Sequence, residues 1–417
     1  MRIDHLTLKF FRNYTRLELS IPEQVVVLHG SNAQGKTSLL EAIYYLATAS
    51  SPYTNSDRQL MNWRTVDELQ PFTQVAADVV SANNRFNRIE IILTKEKLLD
   101  GTERFKKDVR INGVTKRNLD LQGLVGVVMF LPQDLSLIEG SPAIRRRYLD
   151  LTLCQTNKLY SEAINTFDKA LIQRNALLKR IGDGYASVNE LTYWDEQLAS
   201  AAGVIIAGRQ QFIRELELLA QRIHRDLSGG LEDLELVYQP SFEPTAEGDG
   251  QQSFKVLGLD LHRQLTAEKV APQYQAALAD NRQEEVQRGV TLIGPQRDEM
   301  RLMVNGHDLG NFGSRGQART GVMAIKLAEL EWMHQTLGEW PILLLDEVVA
   351  ELDIHRRGYL LERIEQANQV LLTTTELSTL TPDFVKRATL WKVEMGNIKP
   401  LAQSDVWTAT QPDEERP

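Results

Sequence analysis

The chain of 417 residues is 42% hydrophobic and 25% charged, and its formal net charge is −9 at pH 7. This length exceeds what one hydrophobic core supports, so it predicts two or three domains of an ordinary globular protein, and the acidic balance alone argues against a nucleic-acid partner. Cys154 is the only cysteine, which excludes an internal disulfide and a thiolate metal cluster and fits a reducing cytoplasm. We expect no signal peptide, because Arg2 and Asp4 interrupt the first apolar residues, and we find no apolar run long enough to cross a membrane.

The first third of the chain mixes strand and helix patterns. Residues 2–21 alternate apolar and polar residues in two bursts, which predicts paired strands. The apolar run VVVLHG predicts a buried strand, followed by a glycine-bounded loop and the helix KTSLLEAIYYLATA. Strand patterns return between residues 72 and 119, with Asn112-Gly113 as a turn signal. VGVVMFLPQDL then predicts one more buried strand, which stops at a proline.

The rest of the chain is first helical and then mixed again. Helical patterns run from about residue 149 to 227 and, after a loop rich in Gly, Pro and Ser, continue to about residue 288. Strand patterns return at VTLIGP and RLMVNG, before the polar segment GSRGQART, its helix and the run PILLLDEVVAELD. This order predicts an α/β domain interrupted by a mainly helical insertion, with the two outer segments sharing one sheet. We place the domain boundaries at 1–150, 151–289 and 290–405, with residues 406–417 as a flexible tail.

GSNAQGKT matches the phosphate-loop pattern G-x-x-x-x-G-K-[ST] at every defined position and stands between a predicted strand and a predicted helix. Its glycines let the backbone wrap a phosphate chain, with N–H groups pointing inward at the positive end of the helix. Lys36 is expected to reach the β- and γ-phosphates, and the Thr37 hydroxyl to ligate Mg²⁺. A glycine-rich turn without function is the alternative, which the flanking elements disfavour. The predicted ATP-binding loop is Gly30, Ser31, Asn32, Ala33, Gln34, Gly35, Lys36 and Thr37.

An acidic pair follows the apolar strand ILLL. We predict that Asp346 holds Mg²⁺ directly or through water, and that Glu347 polarises an attacking water. Aspartate and glutamate also favour helix N-termini, so a helix cap is the competing interpretation of the pair taken alone. A phosphate loop in the same chain favours the catalytic interpretation.

These motifs occur in the order found in ABC-type ATPases: a phosphate loop, a Ser-x-Gly-Gln helix start, ILLLDE and then the motif ELD. The wide separation of the two halves resembles the SMC-like branch, whose ATPase head is split by a helical insertion. FRNY, GSNAQGKTSLLEAI, FLPQDL, EGSPAIRRRYLD, TLIGPQRDE and GSRGQART resemble, more closely, the RecF family of recombination-mediator ATPases across residues 1–376. Gln133 and Gln296 depart from that pattern, which has an acidic residue at the first position and a histidine at the second. The resemblance implies an ABC-type, SMC-like P-loop ATPase head built from both ends of the chain, with an inserted helical arm.

The resemblance also assigns a role to GSRGQART. Ser314, Gly316 and Gln317 are expected to cap the γ-phosphate bound by the phosphate loop of a second copy, so that ATP brings two copies together. A helix cap alone explains Ser314 but, on this interpretation, not Gly316 and Gln317. A second match to a signature motif, LSGG at residues 227–230, has no following Walker B strand, and we interpret it as a helix stop.

Other site residues are implied by the resemblance alone. Gln133 is expected to reach the metal or the attacking water, and Arg12 and Asn13 to contact the nucleotide. Thr374 or Thr375 stands where many relatives carry a switch histidine, and a purely structural role is an equal alternative.

Local charge suggests a nucleic-acid surface despite the acidic total. Residues 85–117 contain ten basic and five acidic residues, and Arg145-Arg146-Arg147 adds a second basic cluster. No zinc ligands or recognition helix are visible in the sequence, so any contact is expected to be phosphate-directed and sequence-tolerant. A solvated charged face is the competing interpretation. The predicted DNA contacts are Lys95, Lys97, Lys106 and Lys107.

The phosphate loop and the acidic pair predict ATP and Mg²⁺ as cofactors, and the resemblance implies an ATP-dependent DNA-binding clamp in recombinational repair. It is expected to be a DNA-stimulated, slow ATPase that forms a homodimer on ATP at gapped or double-stranded DNA. The resemblance further implies that, with the mediators RecO and RecR, it helps load recombinase at stalled forks. One alternative is the nucleotide-binding subunit of an ABC transporter, which the long separation of Lys36 from Asp346 disfavours. The other is a non-hydrolytic SMC-like structural clamp, which an intact Glu347 disfavours.

Overall fold

The structure, a computed structural model, describes residues 1–65, 71–97, 103–242, 244 and 265–401. Its strands are β1 (Arg2–Phe11), β2 (Tyr14–Ser20), β3 (Gln24–His29), β4 (Phe72–Val80), β5 (Phe86–Lys97), β6 (Glu103–Ile111), β7 (Val114–Lys116), β8 (Val127–Phe130), β9 (Leu234–Gln239), β10 (Glu299–Val304), β11 (His307–Asp308), β12 (Ile342–Asp346), β13 (Gln369–Thr374), β14 (Thr389–Glu394) and β15 (Asn397–Pro400). Its α-helices are α1 (Lys36–Thr48), α2 (Ser136–Glu139), α3 (Pro142–Thr156), α4 (Lys158–Gly182), α5 (Leu191–Leu227), α6 (Ala267–Arg288), α7 (Leu309–Phe312), α8 (Arg315–Leu337), α9 (Ile354–Ile364) and α10 (Pro382–Arg387).

The chain divides into two compact units. Met1–Gln133 and Met333–Pro417 form the first, here called the head unit, and Asp134–Trp332 form the second, here called the arm unit. The two ends of the chain therefore build one unit around an insertion, as the sequence predicts. This division falls at residues 133 and 332, whereas the sequence interpretation places domain boundaries at residues 150, 289 and 405, and those domain boundaries stay a prediction. The predicted tail, residues 406–417, lies outside the described residues.

The head unit contains a mainly parallel sheet in the order β15-β14-β3-β13-β12-β8. Strands from both ends of the chain are interleaved in it, because β13 and β12, from the C-terminal end, lie between β3 and β8, from the N-terminal end. β8, β12 and β13 are buried at every position, which explains their uninterrupted apolar runs. The carboxyl ends of β3 and β12 therefore lie at the same edge, where ligands bind in open α/β sheets. This topology confirms the predicted sheet shared by both outer segments.

An antiparallel sheet in the order β2-β1-β4-β5-β6-β7 completes the head unit. Alternate residues of β1, β4 and β5 are buried, among them Leu6, Leu8, Val75, Ile89 and Ile91, and they pack with apolar residues of α1 in one core. This packing fixes the start of α1, and with it the phosphate loop, against the end of β1.

The arm unit is mainly helical, and α4, α5 and α6 pack against one another. The Arg174 side chain is fully buried, and it is paired with Asp195 and Glu285, each at 2.7 Å. These three residues join α4, α5 and α6, and removing one charge of such a buried set typically costs about 3–5 kcal/mol. The unit also holds a sheet in the order β11-β10-β9.

The helix stop predicted at LSGG is present. α5 ends at Leu227, and Gly229 and Gly230 adopt left-handed backbone conformations with φ of 66° and 80°. The Gly230 N–H donates to the carbonyl of Arg225 at 2.8 Å, which is the bonding of a glycine-terminated helix. Across the described ranges, no helix has both the length and the apolar character that crossing a bilayer requires.

Candidate nucleotide-binding site

The phosphate loop connects β3 to α1, and close packing requires its glycines. Gly35 has φ of 116°, and a Cβ at this position would lie 2.7 Å from Asn13 Nδ2. A Cβ at Gly30 would overlap the carbonyl oxygen of Val393. Side chains are therefore excluded where the loop touches neighbouring strands and where its backbone turns into the helix.

Hydrogen bonds to its carbonyl oxygens hold the loop from outside. The Tyr14 hydroxyl donates to the Gly35 carbonyl at 2.9 Å, and Asn13 Nδ2 donates to the Gln34 carbonyl at 3.1 Å. The Gly396 N–H also donates to the Gln34 carbonyl, at 2.9 Å. Burial raises the pKa of Tyr14, so its hydroxyl remains a donor at neutral pH. Asn13, which the resemblance assigns to nucleotide contact, thus positions the loop and also lines the cavity beside it.

The residues predicted to handle the phosphates and the metal meet at the start of α1. Lys36 Nζ donates to the carbonyl of Gly30 at 2.7 Å and lies 3.1 Å from Glu347 Oε1. The Thr37 hydroxyl donates to Asp346 Oδ1 at 3.0 Å. A hydroxyl and a carboxylate oxygen this close match the hard oxygen ligands that Mg²⁺ prefers. Thr37 and Asp346, 309 positions apart in sequence, therefore lie together as a pair of oxygen donors of the kind that the two motifs predict for Mg²⁺.

The acidic pair is held by residues that the motifs did not identify. Asp346 accepts hydrogen bonds from the hydroxyls of Thr373, at 2.8 Å to Oδ1, and Tyr53, at 2.7 Å to Oδ2. Thr373 Oγ1 in turn accepts from the N–H of Glu347 at 2.9 Å. Thr374, considered as a switch residue, instead donates to the carbonyl of Glu376 at 2.9 Å in a local turn. The contact with the acidic pair thus comes from the residue before the predicted position.

Arg12 lies at the cavity with a buried partner. Its guanidinium donates to both carboxylate oxygens of Glu41, at 2.7 and 2.6 Å, and to the carbonyl of Gln59 at 2.9 Å. Glu41 is 2% exposed, so it depends on this ion pair. The sequence signal for Glu41 was a single acidic residue on an otherwise apolar helix face, SLLEAI, which motif matching passed over.

A cavity of about 590 Å³ opens over these groups, within the size range of small-molecule sites. Its lining includes the phosphate loop, Arg12, Asn13, the acidic pair and Trp63, whose side chain is 72% exposed. Pro132 also lines it, whereas the adjacent Gln133 is exposed and is not among the lining residues. The structure thus brings together the loop and the acidic pair, and leaves the role of Gln133 a prediction.

The signature segment, residues 313–317, lies in the arm unit. The Ser314 N–H donates to Gln317 Oε1 at 2.9 Å, and the Gln317 N–H donates to Ser314 Oγ at 3.2 Å, which is a capping box. A cap therefore explains Gln317 as well as Ser314, contrary to the interpretation from sequence. A Cβ at Gly316 would meet only Ser314 Oγ, at 3.8 Å, so the chain's own packing does not require glycine there.

The predicted DNA-contacting lysines do not all lie on one face of the antiparallel sheet. Lys107 stands opposite the buried Leu93, and its ammonium is held by the Ala49 carbonyl at 2.6 Å and by Asp57 at 2.8 Å. Lys95, two residues beyond Leu93, is on that same core-facing side.

Lys106 lies on the opposite side of β6, facing away from the core. It stands opposite Thr94, its side chain is 51% exposed, and it pairs with Asp108 at 2.8 Å. The side chain of Lys97 lies outside the described part of the structure. Lys106 and Lys107 thus lie on opposite sides of the sheet, because adjacent residues of a strand point to opposite faces, and the role of these lysines in DNA binding stays a prediction.

Two arginines of the second basic cluster, Arg145 and Arg146, make contacts within the arm unit. Arg145 is 8% exposed and forms two 2.7 Å contacts with the carboxylate of Glu299. Arg146 donates to the carbonyl of Asp298 at 2.7 Å. These two side chains therefore serve the fold of the arm unit.

Comparisons with known proteins agree with this architecture. The family model described as "RecF/RecN/SMC N terminal domain" matches residues 2–395. Proteins named "DNA replication and repair protein RecF" include one from Chloroflexus aggregans, 40% identical over 95% of this chain and 99% of the relative. Another, from Herpetosiphon aurantiacus, is 39% identical over 96% of this chain and 100% of the relative.

Solved structures give the same result. "Structure of the recombination mediator protein RecF-ATPrS in RecFOR pathway" superposes with a TM-score of 0.80 and 28% identity, over 96% of this chain and 98% of that one. The corresponding RecF-ATP structure has the same TM-score and identity, and 97% of its chain is covered. The predicted fold class, an ABC-type SMC-like ATPase head built from both chain ends with an inserted helical arm, is confirmed. With a family model spanning both units and relatives at 39–40% identity over nearly the whole length, this chain belongs to the RecF family.

Proposed function

We propose that this chain is an ATP-dependent DNA-binding clamp that acts as a recombination mediator in DNA repair. One observation carries the proposal: the ion pair of Lys36 with Glu347 and the hydrogen bond of Thr37 to Asp346 lie side by side at one cavity. The relatives' names support the repair role, and the neighbouring structures' titles support ATP as the ligand and the RecFOR pathway as the setting. RecO and RecR are accordingly the proposed mediator partners.

The proposed mechanism assigns one task to each residue. Backbone N–H groups of the loop and the Lys36 ammonium bind the phosphate oxygens, and Thr37 with Asp346 would hold Mg²⁺, which supplies positive charge to the transferring phosphoryl group. Glu347 orients the attacking water and accepts its proton. The left-handed backbone at Glu347, with φ of 55°, turns this residue out of β12 beside Lys36. A transition-state role for Glu347 favours an ATPase over a purely structural clamp.

Two copies are proposed to complete each site. Ser314 and Gly316 of one copy would meet the γ-phosphate bound by the loop of the other, with the open space at Gly316 admitting the phosphate. DNA, gapped or double-stranded, is proposed to stimulate slow hydrolysis, which separates the copies. The relatives disfavour a transporter subunit, because they are named as DNA replication and repair proteins and match this chain over nearly their whole length.

The test of this proposal separates ATP binding from hydrolysis. Glu347→Gln keeps the shape of the side chain but removes the base, so we expect unchanged ATP affinity and turnover slower by about 10²–10⁴-fold. The variant should accumulate as an ATP-bound dimer. Phosphate release and size-exclusion chromatography with ATP measure the two effects. Glu362→Gln, at an exposed carboxylate on α9, is the matched control. Wild-type turnover in Glu347→Gln would refute the assignment.

DNA binding is proposed to use the solvent-facing side of β6. Replacing Arg104 and Lys106 together by alanine should weaken binding about equally for all sequences, because the contacts are to phosphates. The slope of the log–log salt dependence should flatten by about 0.9 for each DNA phosphate that the variant no longer neutralises. Titrations of labelled gapped duplex at several salt concentrations measure both quantities. Lys95→Ala, on the core-facing side, serves as the comparison. If Lys95→Ala decreased DNA affinity more than the double variant does, the DNA-binding surface would be assigned to the core-facing side instead.

A further inference from the structure

The two carboxylate oxygens of Asp346 accept different numbers of hydrogen bonds from the described residues. Among the described residues, its Oδ1 accepts from the hydroxyls of Thr37 and Thr373, at 3.0 and 2.8 Å, while its Oδ2 accepts from Tyr53 at 2.7 Å. Tyr53 belongs to none of the motifs and lies between α1 and β4. A residue outside the recognised motifs therefore holds one of the two oxygens of the proposed metal ligand.

A hydrogen bond to Ser51 holds the backbone of Tyr53 in place. Ser51 Oγ accepts from the N–H groups of Tyr53 and Thr54, at 3.0 and 3.2 Å, and donates to Glu41 Oε1 at 2.5 Å. Glu41 is buried and paired with Arg12. The Tyr53 ring also packs against the core of the head unit. A buried ion pair thus anchors the turn that presents the Tyr53 hydroxyl to Asp346.

These contacts control the orientation of the carboxylate. The hydroxyls of Thr37 and Thr373 hold Oδ1 and the Tyr53 hydroxyl holds Oδ2, so rotation about the Cβ–Cγ bond is restrained at both oxygens. Without the Tyr53 hydroxyl, Oδ2 would lose the partner that it has among the described residues, and the orientation that keeps Oδ1 toward Thr37, where the metal would be held, would be less strongly fixed. Outer-shell hydrogen bonds of this kind commonly determine how a ligating carboxylate binds its metal.

We propose that Tyr53 is a positioning residue for the divalent-cation site, acting through its hydrogen bond to Asp346. The inference rests on the proposed function, because it assumes that Thr37 and Asp346 hold Mg²⁺ beside bound ATP. It predicts that Tyr53 governs cation affinity and leaves the binding of metal-free nucleotide unchanged. The hydroxyl is the acting group, since the ring contacts apolar residues.

Tyr53→Phe isolates the hydroxyl, because it retains the packed ring. Two affinities are measured for the full chain: that for a non-hydrolysable ATP analogue in EDTA, and that of the analogue-bound protein for Mn²⁺, by electron paramagnetic resonance. We expect the first to stay within about twofold of wild type and the second to fall by about 10–100-fold. Tyr45→Phe is the matched control, since Tyr45 is buried in the same unit and has no hydrogen bond to Asp346 among the described residues. It should change neither affinity.

The outcomes separate this inference from the proposed function. If the wild type binds neither nucleotide nor Mn²⁺, the proposed function is wrong, and the role of Tyr53 fails with it. If the wild type binds both and Tyr53→Phe has the same Mn²⁺ affinity, Tyr53 is not a positioning residue. If Tyr53→Phe loses metal-free nucleotide affinity as strongly as Mn²⁺ affinity, the hydroxyl supports the nucleotide pocket in general, and the proposal is likewise overturned.

Discussion

Lys36→Ala is expected to weaken ATP binding by about 100-fold or more. The Lys36 side chain is 3% exposed, and its ammonium donates to the loop carbonyls of Gly30 and Ser31, at 2.7 and 3.1 Å, so it is positioned for oxygen ligands inside the loop. Hydrogen bonds to charged groups contribute about 1.5–3 kcal/mol each, and backbone N–H groups alone cannot neutralise a triphosphate. Equilibrium binding of a fluorescent ATP analogue measures the decrease in affinity.

The control for this variant must separate a loss of binding from a loss of folding. Lys36 also faces Glu347 at 3.1 Å, so alanine leaves that carboxylate without this partner. Circular dichroism and the thermal unfolding midpoint should therefore be compared with wild type. Lys386→Ala, at an exposed lysine of α10, removes a positive charge from the same unit without touching the loop. Near-normal ATP affinity in folded Lys36→Ala protein would remove the phosphate-loop assignment.

The sequence predicted the centre of this site because its chemistry is concentrated in short segments. A phosphate loop needs glycines, a lysine and a hydroxyl at fixed spacing, and parallel strands buried on both faces appear as apolar runs. The adjacency of the loop and the acidic pair then follows from sheet topology. Motif spacing could not identify three further residues of the site, Thr373, Tyr53 and Glu41. Each acts through a contact that depends on tertiary packing, so no spacing in the sequence marks it.

Two further features that the sequence interpretation did not predict have simple physical causes. Lys106 and Lys107 are adjacent in β6, so the antiparallel register with β5 sends them to opposite faces, and charge counting cannot detect that. The reciprocal cap of Ser314 and Gln317 could have been recognised, since Ser-x-x-Gln before an apolar helix is a capping-box pattern. The sequence interpretation instead assigns Gln317 to an ATPase signature, because the same residues also match that motif. The structure shows the cap at Ser314, and its contact with the γ-phosphate of a second copy stays a proposal.

Ser314→Arg is expected to leave ATP binding by the monomer intact and to block ATP-dependent dimerisation. In the proposed dimer the arginine would occupy the space of the γ-phosphate bound to the other copy, and hydrolysis should fall with dimerisation. Because Ser314 also caps α8, the change removes a cap contribution of about 1 kcal/mol. Ser314→Ala removes the same cap without adding bulk, so it is the matched control. Sedimentation with and without ATP should show that Ser314→Ala still dimerises better than Ser314→Arg.

Mixing Ser314→Arg with Lys36→Ala gives the sharper result, because a site shared between copies permits complementation. One copy retains Lys36 and the other retains Ser314, so a mixed dimer contains one complete composite site. ATP should therefore restore partial association that neither variant shows alone, and differently tagged copies in a pull-down would detect it. A cap that acts only within its own chain predicts no such recovery. Loss of ATP affinity in monomeric Ser314→Arg, or normal dimerisation by it, would limit the signature segment to its observed role in starting α8.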